Sequence, residues 1–277
     1  MAQIKDKLVL LTGGASGIGR CAADEFAKAG ARLIITDING DALETAAMEL
    51  KADFEAEIHT YCVDVSKRVE VETMAMDVLQ NFGKLDILIN NAGIGHSGEM
   101  VETPIEKWKL LLDVNFWGPL YHIYAFLPSM MKEKSGQIVN VSSGQAYFRL
   151  PTWGPYATVK LALGAFSEIL RFEVKKFGIK VTTVYPFMVN TPFYKDIEGD
   201  TFAARLSMKL VPYYSMSPEK VARILFKAVK KQKAVEMVSV FNDVAFLTRT
   251  LPPLSSVISK ATIMLLGKNA EELEQQI

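Results

Sequence analysis

Short runs of aliphatic and β-branched residues alternate with longer stretches of helical spacing along most of the chain. The first apolar run covers residues 7–12 and stops at glycine. Residues 17–29 then carry apolar positions at helical spacing, and Gly30 is a natural stop for that helix. Continued along the sequence, the same reading predicts strands over 31–36, 56–63, 85–90, 137–141, 180–185 and 234–240. Between them it predicts helices over 41–51, 69–82, 104–131, 155–177 and 218–231. Ile87, Leu88 and Ile89 are apolar without alternation, as suits a parallel strand covered on both faces. Strands and helices alternating at these lengths predict βαβ units and an α/β fold with a doubly wound parallel sheet.

No internal repeat, low-complexity tract or linker divides the chain, so one main domain is expected over 1–243. Two stretches depart from the alternation. Residues 190–217 mix Phe193, Tyr194, Phe202, Met208, Tyr213, Tyr214 and Met216 with charges. That mixture reads as a lid over a lipophilic pocket, or as a surface insertion packed in the ordinary way. Residues 244–277 form an apolar extension with helical character, broken by Arg249, Pro252, Pro253 and Lys260. Val257, Ile258, Ile263, Met264, Leu265 and Leu266 cover too much of a helix for simple exposure. Peripheral membrane contact, an oligomer contact and a flap over the core all remain open for it.

Composition narrows the partners. Hydrophobic residues make up 49% of the 277, too many for a disordered chain. The 31 Lys and Arg balance the 31 Asp and Glu, which removes the basic footprint of a nucleic-acid binder. Cys21 and Cys62 cannot build a disulfide framework or a four-cysteine zinc site. They read as reduced core thiols of a cytoplasmic protein, with a single bridge between them left open. His59, His96 and His122 lack metal-ligand spacing, so no metal is expected. The apolar run at 8–11 is too short for a signal-peptide core, and no uncharged stretch reaches the length of a spanning helix.

In an open parallel sheet, ligands bind beyond the carboxyl ends of the strands, and the polar residues of this chain collect there. The first strand runs into Thr12-Gly13-Gly14-Ala15-Ser16-Gly17-Ile18-Gly19. Glycines at 13, 17 and 19 permit a tight turn, close backbone approach to a pyrophosphate and tight helix–strand contact. Ser16 and Ile18 complete the loop, and no Gly-Lys-Ser/Thr follows to make it a Walker loop. Asp37, at the end of the second strand, is placed to accept hydrogen bonds from adenosine ribose hydroxyls and to repel a 2′-phosphate. Ile38 rather than a basic residue follows it, and Arg20 is the nearby cation. These features favour NAD(H), with NADP(H) as the alternative. Asp37 could instead cap the following helix. Asp64 is placed for the adenine amino group with Val65 beside the ring, or as a cap near Ser66. Asn91, Ala92 and Gly93 add small and polar groups at the same edge.

The fifth strand ends in Ser142-Ser143, and Tyr156 and Lys160 follow four residues apart, on one face of the next helix. A tyrosine alone holds its proton too tightly to act as a base at neutral pH. A neighbouring ammonium and an oxidised nicotinamide would each lower its pKa. A strand-end serine would hold the substrate oxygen.

Together these residues resemble the short-chain dehydrogenase/reductase family in its compact branch of about 250 residues, a single-domain Rossmann fold. The matches are Thr12-Gly13-x-x-x-Gly17-x-Gly19, Asn90-Asn91-Ala92-Gly93, Asn115, Ser143 and Tyr156-x-x-x-Lys160, in order, over about residues 7–240. The resemblance implies that Tyr156 is the general acid/base and that Ser143 steadies the substrate oxygen. Lys160 would bind the nicotinamide ribose and lower the tyrosine pKa. Asn115 would hold a water in a proton relay, and hydride would pass directly to or from the nicotinamide. Pro186, Val189 and Thr191 match the segment that contacts the carboxamide. Where the family usually has glycine after that proline, this chain has Phe187. The resemblance also implies a homodimer or homotetramer.

The candidate substrate wall is Gln145, Phe187 and Phe193, with Gly95, His96, Tyr147, Phe148, Trp153 and Tyr194 behind them. Its aromatic character suits a lipophilic secondary alcohol or ketone, such as a steroid, retinoid or acyl compound. Gln145 could add one specifying hydrogen bond. A catalytically weak dinucleotide sensor or scaffold of the same fold is the second reading, favoured only by Phe187.

Overall fold

The computed structural model describes residues 2–195, 197, 215–239 and the separate positions 242–244, 246, 257, 260 and 264. Residues 196 and 198–214 of the expected lid, and most of the C-terminal extension, lie outside the described residues. Seven strands form one sheet in the order β3-β2-β1-β4-β5-β6-β7, every neighbouring pair parallel. They are β1 (Leu8–Thr12), β2 (Arg32–Asp37), β3 (Ile58–Cys62), β4 (Ile87–Asn90), β5 (Gln137–Val141), β6 (Lys180–Tyr185) and β7 (Val235–Met237). The chain builds outward from β1 to β3, then crosses to β4 on the other side of β1. That reversal opens a crevice at the carboxyl ends of β1 and β4.

Alternate residues of each strand feed two separate cores. Val9, Leu11, Leu33 and Ile35 face α1 (Gly17–Lys28), α2 (Gly40–Phe54) and a late helix at Pro218–Lys230. Leu8, Leu10, Ile34, Leu88 and Ile138 face α3 (Arg68–Phe82) and two helices described next. Burial on both faces is why these strands read as continuous apolar runs rather than as alternating ones.

The predicted helix over 104–131 is α4 (Ile105–Leu112) and α5 (Gly118–Glu133), joined by a π-helical turn, Asp113–Trp117. The amide of Asn115 enters the helical ladder there, donating to the Leu111 carbonyl at 3.1 Å. A one-turn helix, α6 (Gln145–Phe148), is too short to leave a periodic signal. Next, α7 (Gly154–Val174) ends three residues before the predicted stop, in a 3₁₀ turn, Lys175–Phe177. The helix Pro218–Lys230 is α8, capped by Ser217, whose hydroxyl accepts from the Lys220 N–H at 3.3 Å.

Buried polar contacts set α7 against the sheet. Asn90 donates to Asn140 Oδ1 at 2.8 Å, Asn140 donates to Ser167 Oγ at 2.8 Å, and Ser167 donates to the Leu163 carbonyl at 2.6 Å. Ser142 Oγ donates to the Lys160 carbonyl at 2.7 Å. Each bond satisfies a group that burial would otherwise leave unpaired, so together they fix the height and rotation of the helix.

The two thiols correct one expectation. Cys21 is half-buried, Cys62 is exposed, and they form no bridge. Cys62 is outside the core because β3 is an edge strand.

His122 on α5 is fully buried and donates from Nδ1 to the Gly118 carbonyl at 2.8 Å. Burial pushes its pKa down to about 4, against the Gly118 bond, which acts the other way. Between about pH 6.5 and 4 the unfolded chain therefore binds a proton at this position that the folded chain does not. Stability is expected to fall by about 3 kcal/mol on acidification through that window. Urea unfolding of the wild type and His122→Phe from pH 7 to 4 checks this, with the shallower acid slope expected in the variant.

Candidate active site

A cavity of about 330 Å³ occupies the crevice beyond the strand ends. Its glycine-rich wall is the turn from β1 into α1. Thr12 Oγ1 accepts from the Asn91 and Ala92 N–H groups, each at 3.0 Å, and Asn91 Nδ2 donates to the Thr12 carbonyl at 3.0 Å. These bonds stitch the ends of β1 and β4 together. A Cβ on Gly13 would lie 2.9 Å from Ala92 Cα, and Gly13 has φ +68°, so no other residue suits that turn. Gly19 faces away from the cavity. Any side chain there would run into the Gly13 carbonyl, so its role is the close contact of α1 with the loop.

Asp37 lines the cavity, and its carboxylate is held to the loop. Oδ2 accepts from Ala15 N–H and Oδ1 from Asn39 N–H, each at 3.1 Å. The cap of α2 is Asn39, whose Oδ1 accepts from Ala42 N–H at 3.1 Å, which removes the capping alternative for Asp37. Asp64 lines the cavity and also accepts from Ser66 N–H at 2.9 Å and Ser66 Oγ at 2.7 Å, a local turn before α3, whose N-cap position is Lys67. Arg20 is absent from the wall. Its guanidinium is paired with Asp24 and with Glu49, the latter at 3.1 Å.

On the opposite wall stand Ser143, Tyr156 and Lys160. Ser143 Oγ accepts from the Gln145 N–H at 3.2 Å, which leaves its proton free to go to the Tyr156 hydroxyl. Burial pushes the Tyr156 phenol pKa up. The Ser143 hydrogen bond acts against that shift, and the nearby Tyr194 adds to it. Burial is the larger effect, and Lys160 is not among the groups that shift this phenol. The phenol holds its proton at neutral pH. Lys160 Nζ donates to the Val141 carbonyl at 3.0 Å and lies 5.9 Å from the Tyr156 ring centroid. Burial brings its pKa down to about 8.

Asn115 lies behind this wall, not in it. Its Nδ2 donates to the Ile94 carbonyl at 3.0 Å and its Oδ1 accepts from Ile94 N–H at 3.2 Å, which uses the side chain entirely on backbone. Gly93 separates it from the cavity. A Cβ on Gly93 would sit 2.7 Å from Asn115 Oδ1 and 3.3 Å from Lys160 Nζ.

The far end of the cavity is aromatic. Trp153 and Phe193 stand 5.8 and 5.6 Å from the Tyr156 ring, and Tyr194 lies 5.2 Å from Phe193. Phe187 lines the wall with its ring 5.1 Å from Phe148, and its Cβ would be 2.8 Å from a Cβ on Gly144. The left-handed residue of this segment is Met188, with φ +50°. Pro186, Val189, Thr191 and Gln145 line the cavity as expected, as do Ser16, Gly17, Ile18, Val65, Asn91 and Ala92. Gly95, His96, Tyr147 and Phe148 do not. Gly95 instead gives Phe193 room to lie over the β4 loop, since a Cβ there would be 2.5 Å from Phe193 Cζ. Sequence reasoning missed Asn242, which is fully buried against Gly144 and donates to the Tyr185 carbonyl at 2.5 Å. It stands in a stretch without periodicity, so no signal marked it.

The cavity fits a dinucleotide. Its glycine-rich end offers backbone and an α-helix N-terminus where side chains have no room, with a carboxylate beside it, as such a ligand's phosphates and ribose require.

Comparison with known proteins agrees. A family model described as short chain dehydrogenase matches residues 7–201. An uncharacterized oxidoreductase of Staphylococcus saprophyticus is 34% identical over 201 residues, covering 73% of this chain and 84% of that protein. The dehydrogenase/reductase SDR family member 7B of Bos taurus is 33% identical over 261 residues, covering 91% of this chain and 79% of that protein. Among solved structures, a short-chain dehydrogenase/reductase from Burkholderia phymatum in complex with NAD superposes with a TM-score of 0.83 at 24% identity. That match covers 92% of this chain and 96% of the other. L-Sorbose reductase from Gluconobacter frateurii, complexed with NADPH and L-sorbose, superposes with a TM-score of 0.76 at 27% identity, over 86% of this chain and 97% of the other. With its matching sequence, doubly wound sheet and strand-end cavity, this chain belongs to the short-chain dehydrogenase/reductase family of NAD(P)(H)-binding oxidoreductases.

Proposed function

We propose that the protein interconverts a secondary alcohol and a ketone on a lipophilic substrate, with NAD(H) preferred over NADP(H). The observation that carries this reading is the single wall formed by Ser143, Tyr156 and Lys160 facing the glycine-rich loop across one cavity. In it, Tyr156 donates its proton to the carbonyl oxygen in reduction and takes the alcohol proton in oxidation. Ser143 donates a hydrogen bond to the same oxygen. Lys160 holds the nicotinamide ribose, and Asn115 supports a water-borne proton path behind Gly93. The bound nicotinamide supplies or accepts the hydride. Trp153, Phe187, Phe193 and Tyr194 give the substrate end its lipophilic, water-excluding surface.

For the nucleotide, three features support NAD(H). The Asp37 carboxylate sits at the loop, Ile38 is 68% exposed in the place a basic side chain would take, and Arg20 is engaged by Asp24 and Glu49. A 2′-phosphate would meet a negative charge, with no free cation beside it among the described residues that line the cavity. In this reading residues 1–243 are one catalytic unit with 190–217 as its lid. The extension at 244–277 is a separate element for oligomer or membrane contact. Among the described residues, no helix is long and apolar enough to cross a membrane.

Tyr156→Phe should lower kcat about a thousandfold while NADH still binds, which turnover and fluorescence titration together check. Retained turnover would remove Tyr156 from the reaction. Fluorescence titration should also give a lower Kd for NADH than for NADPH, and Asp37→Ala should shrink that difference about tenfold. Tighter binding of NADPH by the unaltered protein overturns the preference. In the pH profile of ketone reduction, kcat/KM should fall as pH rises through about 8, where Lys160 loses its proton. Tyr156 stays protonated across that range because its pKa is raised. A profile flat to pH 10 would show that the Lys160 charge is not needed.

A further inference from the structure

Gln145 is buried in the cavity wall, and backbone groups hold its amide in one orientation. Its Oε1 accepts from the Leu150 N–H at 3.3 Å, while its own backbone N–H donates to Ser143 Oγ at 3.2 Å. With the oxygen end taken by a backbone donor, Nε2 is the end left over. That nitrogen has no hydrogen-bond partner among the described residues, and it is not sealed inside the protein. Two N–H donors therefore open on the cavity from the same turn that carries Ser143.

A ligand that covered those donors with hydrocarbon would bury them unpaired, which a wall built for hydrocarbon alone would avoid. The charge of the complementary group also follows from the lining. Among the described lining residues Lys160 is the one cation, and its Nζ donates to the Val141 carbonyl behind Tyr156. The lining carboxylates are Asp37 and Asp64, at the glycine-rich end. A substrate carboxylate beside Gln145 would be buried among Trp153, Phe187 and Phe193 without a counter-charge from the described residues. The partner of Nε2 is an oxygen without charge.

We infer that Gln145 determines specificity, and that the substrate carries a neutral hydrogen-bond acceptor a few bonds from its reacting carbon. An ester, a second ketone or an ether oxygen would serve. This rests on the alcohol–ketone reaction proposed above, because Ser143 and Tyr156 must hold the reacting oxygen for Gln145 to meet the second one. It narrows a lipophilic ketone to a lipophilic ketone with a second oxygen function nearby.

The test compares reduction by NADH of an alkyl methyl ketone and a β-keto ester of the same chain length. Comparing wild type with Gln145→Leu cancels the intrinsic reactivity of the two compounds. The ratio of kcat/KM for keto ester over ketone should drop about tenfold in the variant. Gln145→Met, which keeps the length and loses the donors, should show the same drop and stands in if Gln145→Leu does not fold. Unchanged NADH affinity reports an intact fold. An unchanged ratio in a folded variant overturns the role of Gln145 and leaves the oxidoreductase reading standing. Failure of the wild type to reduce either compound, or any of a wider ketone panel, overturns both.

Discussion

Everything at the site depends on how closely the ends of β1 and β4 approach each other. Sheet order reverses between these strands, so their carboxyl ends meet with no crossover helix in the way. Thr12 ties them through three hydrogen bonds at 3.0 Å, two with Asn91 and one with the Ala92 N–H. The approach leaves no volume for side chains at Gly13, Gly19 or Gly93, and exposes backbone where an anionic ligand needs it. Glycine is demanded at these positions by contact distance more than by composition or flexibility. Even Gly93, whose backbone any residue could adopt, is held small by the amide of Asn115 and the ammonium of Lys160.

The second wall is assembled by polar bonds in places where an apolar core would suffice for stability. Asn90, Asn140 and Ser167 form a thread from β4 through β5 to α7, and Ser142 joins β5 to the Lys160 carbonyl. Hydrophobic contact alone would let α7 slide by a fraction of a turn at little loss. A directional bond would not. The consequence falls on Tyr156 and Lys160, which ride on that helix and must face Ser143 across a gap set by β5.

Much of this was legible in the sequence, for physical reasons that also explain what was not. All seven strands and the major helices follow from apolar or β-branched runs and from helical spacing, which are local signals. Asp37 was legible as a strand-end carboxylate, but whether it caps α2 was not, because Asn39 lies two residues away and competes for the same role. The long helix over 104–131 was read as continuous because a π-helical turn keeps the helical direction and barely disturbs apolar spacing. The sign of the Tyr156 shift escaped because burial is a tertiary quantity. Spacing on a helix shows that Lys160 is near, not that both groups are out of water. Asn242 reaches Gly144 across nearly a hundred residues of sequence, and no local pattern encodes such a contact.

Burial acts on the two ionisable groups of the catalytic wall in opposite senses. A phenol taken out of water keeps its proton, and an amine taken out of water gives its proton up more easily. Tyr156 and Lys160 respond in these opposite senses within one wall. A raised phenol pKa suits a proton donor, and in the proposed reaction it is reduction that draws on that proton. Oxidation first requires the tyrosine to be relieved of its proton by a base or a water path. The aromatic rings beside Tyr156 help keep water from this wall and so contribute to both shifts. A more open, polar wall around the same residues would bring both groups back toward their ordinary values.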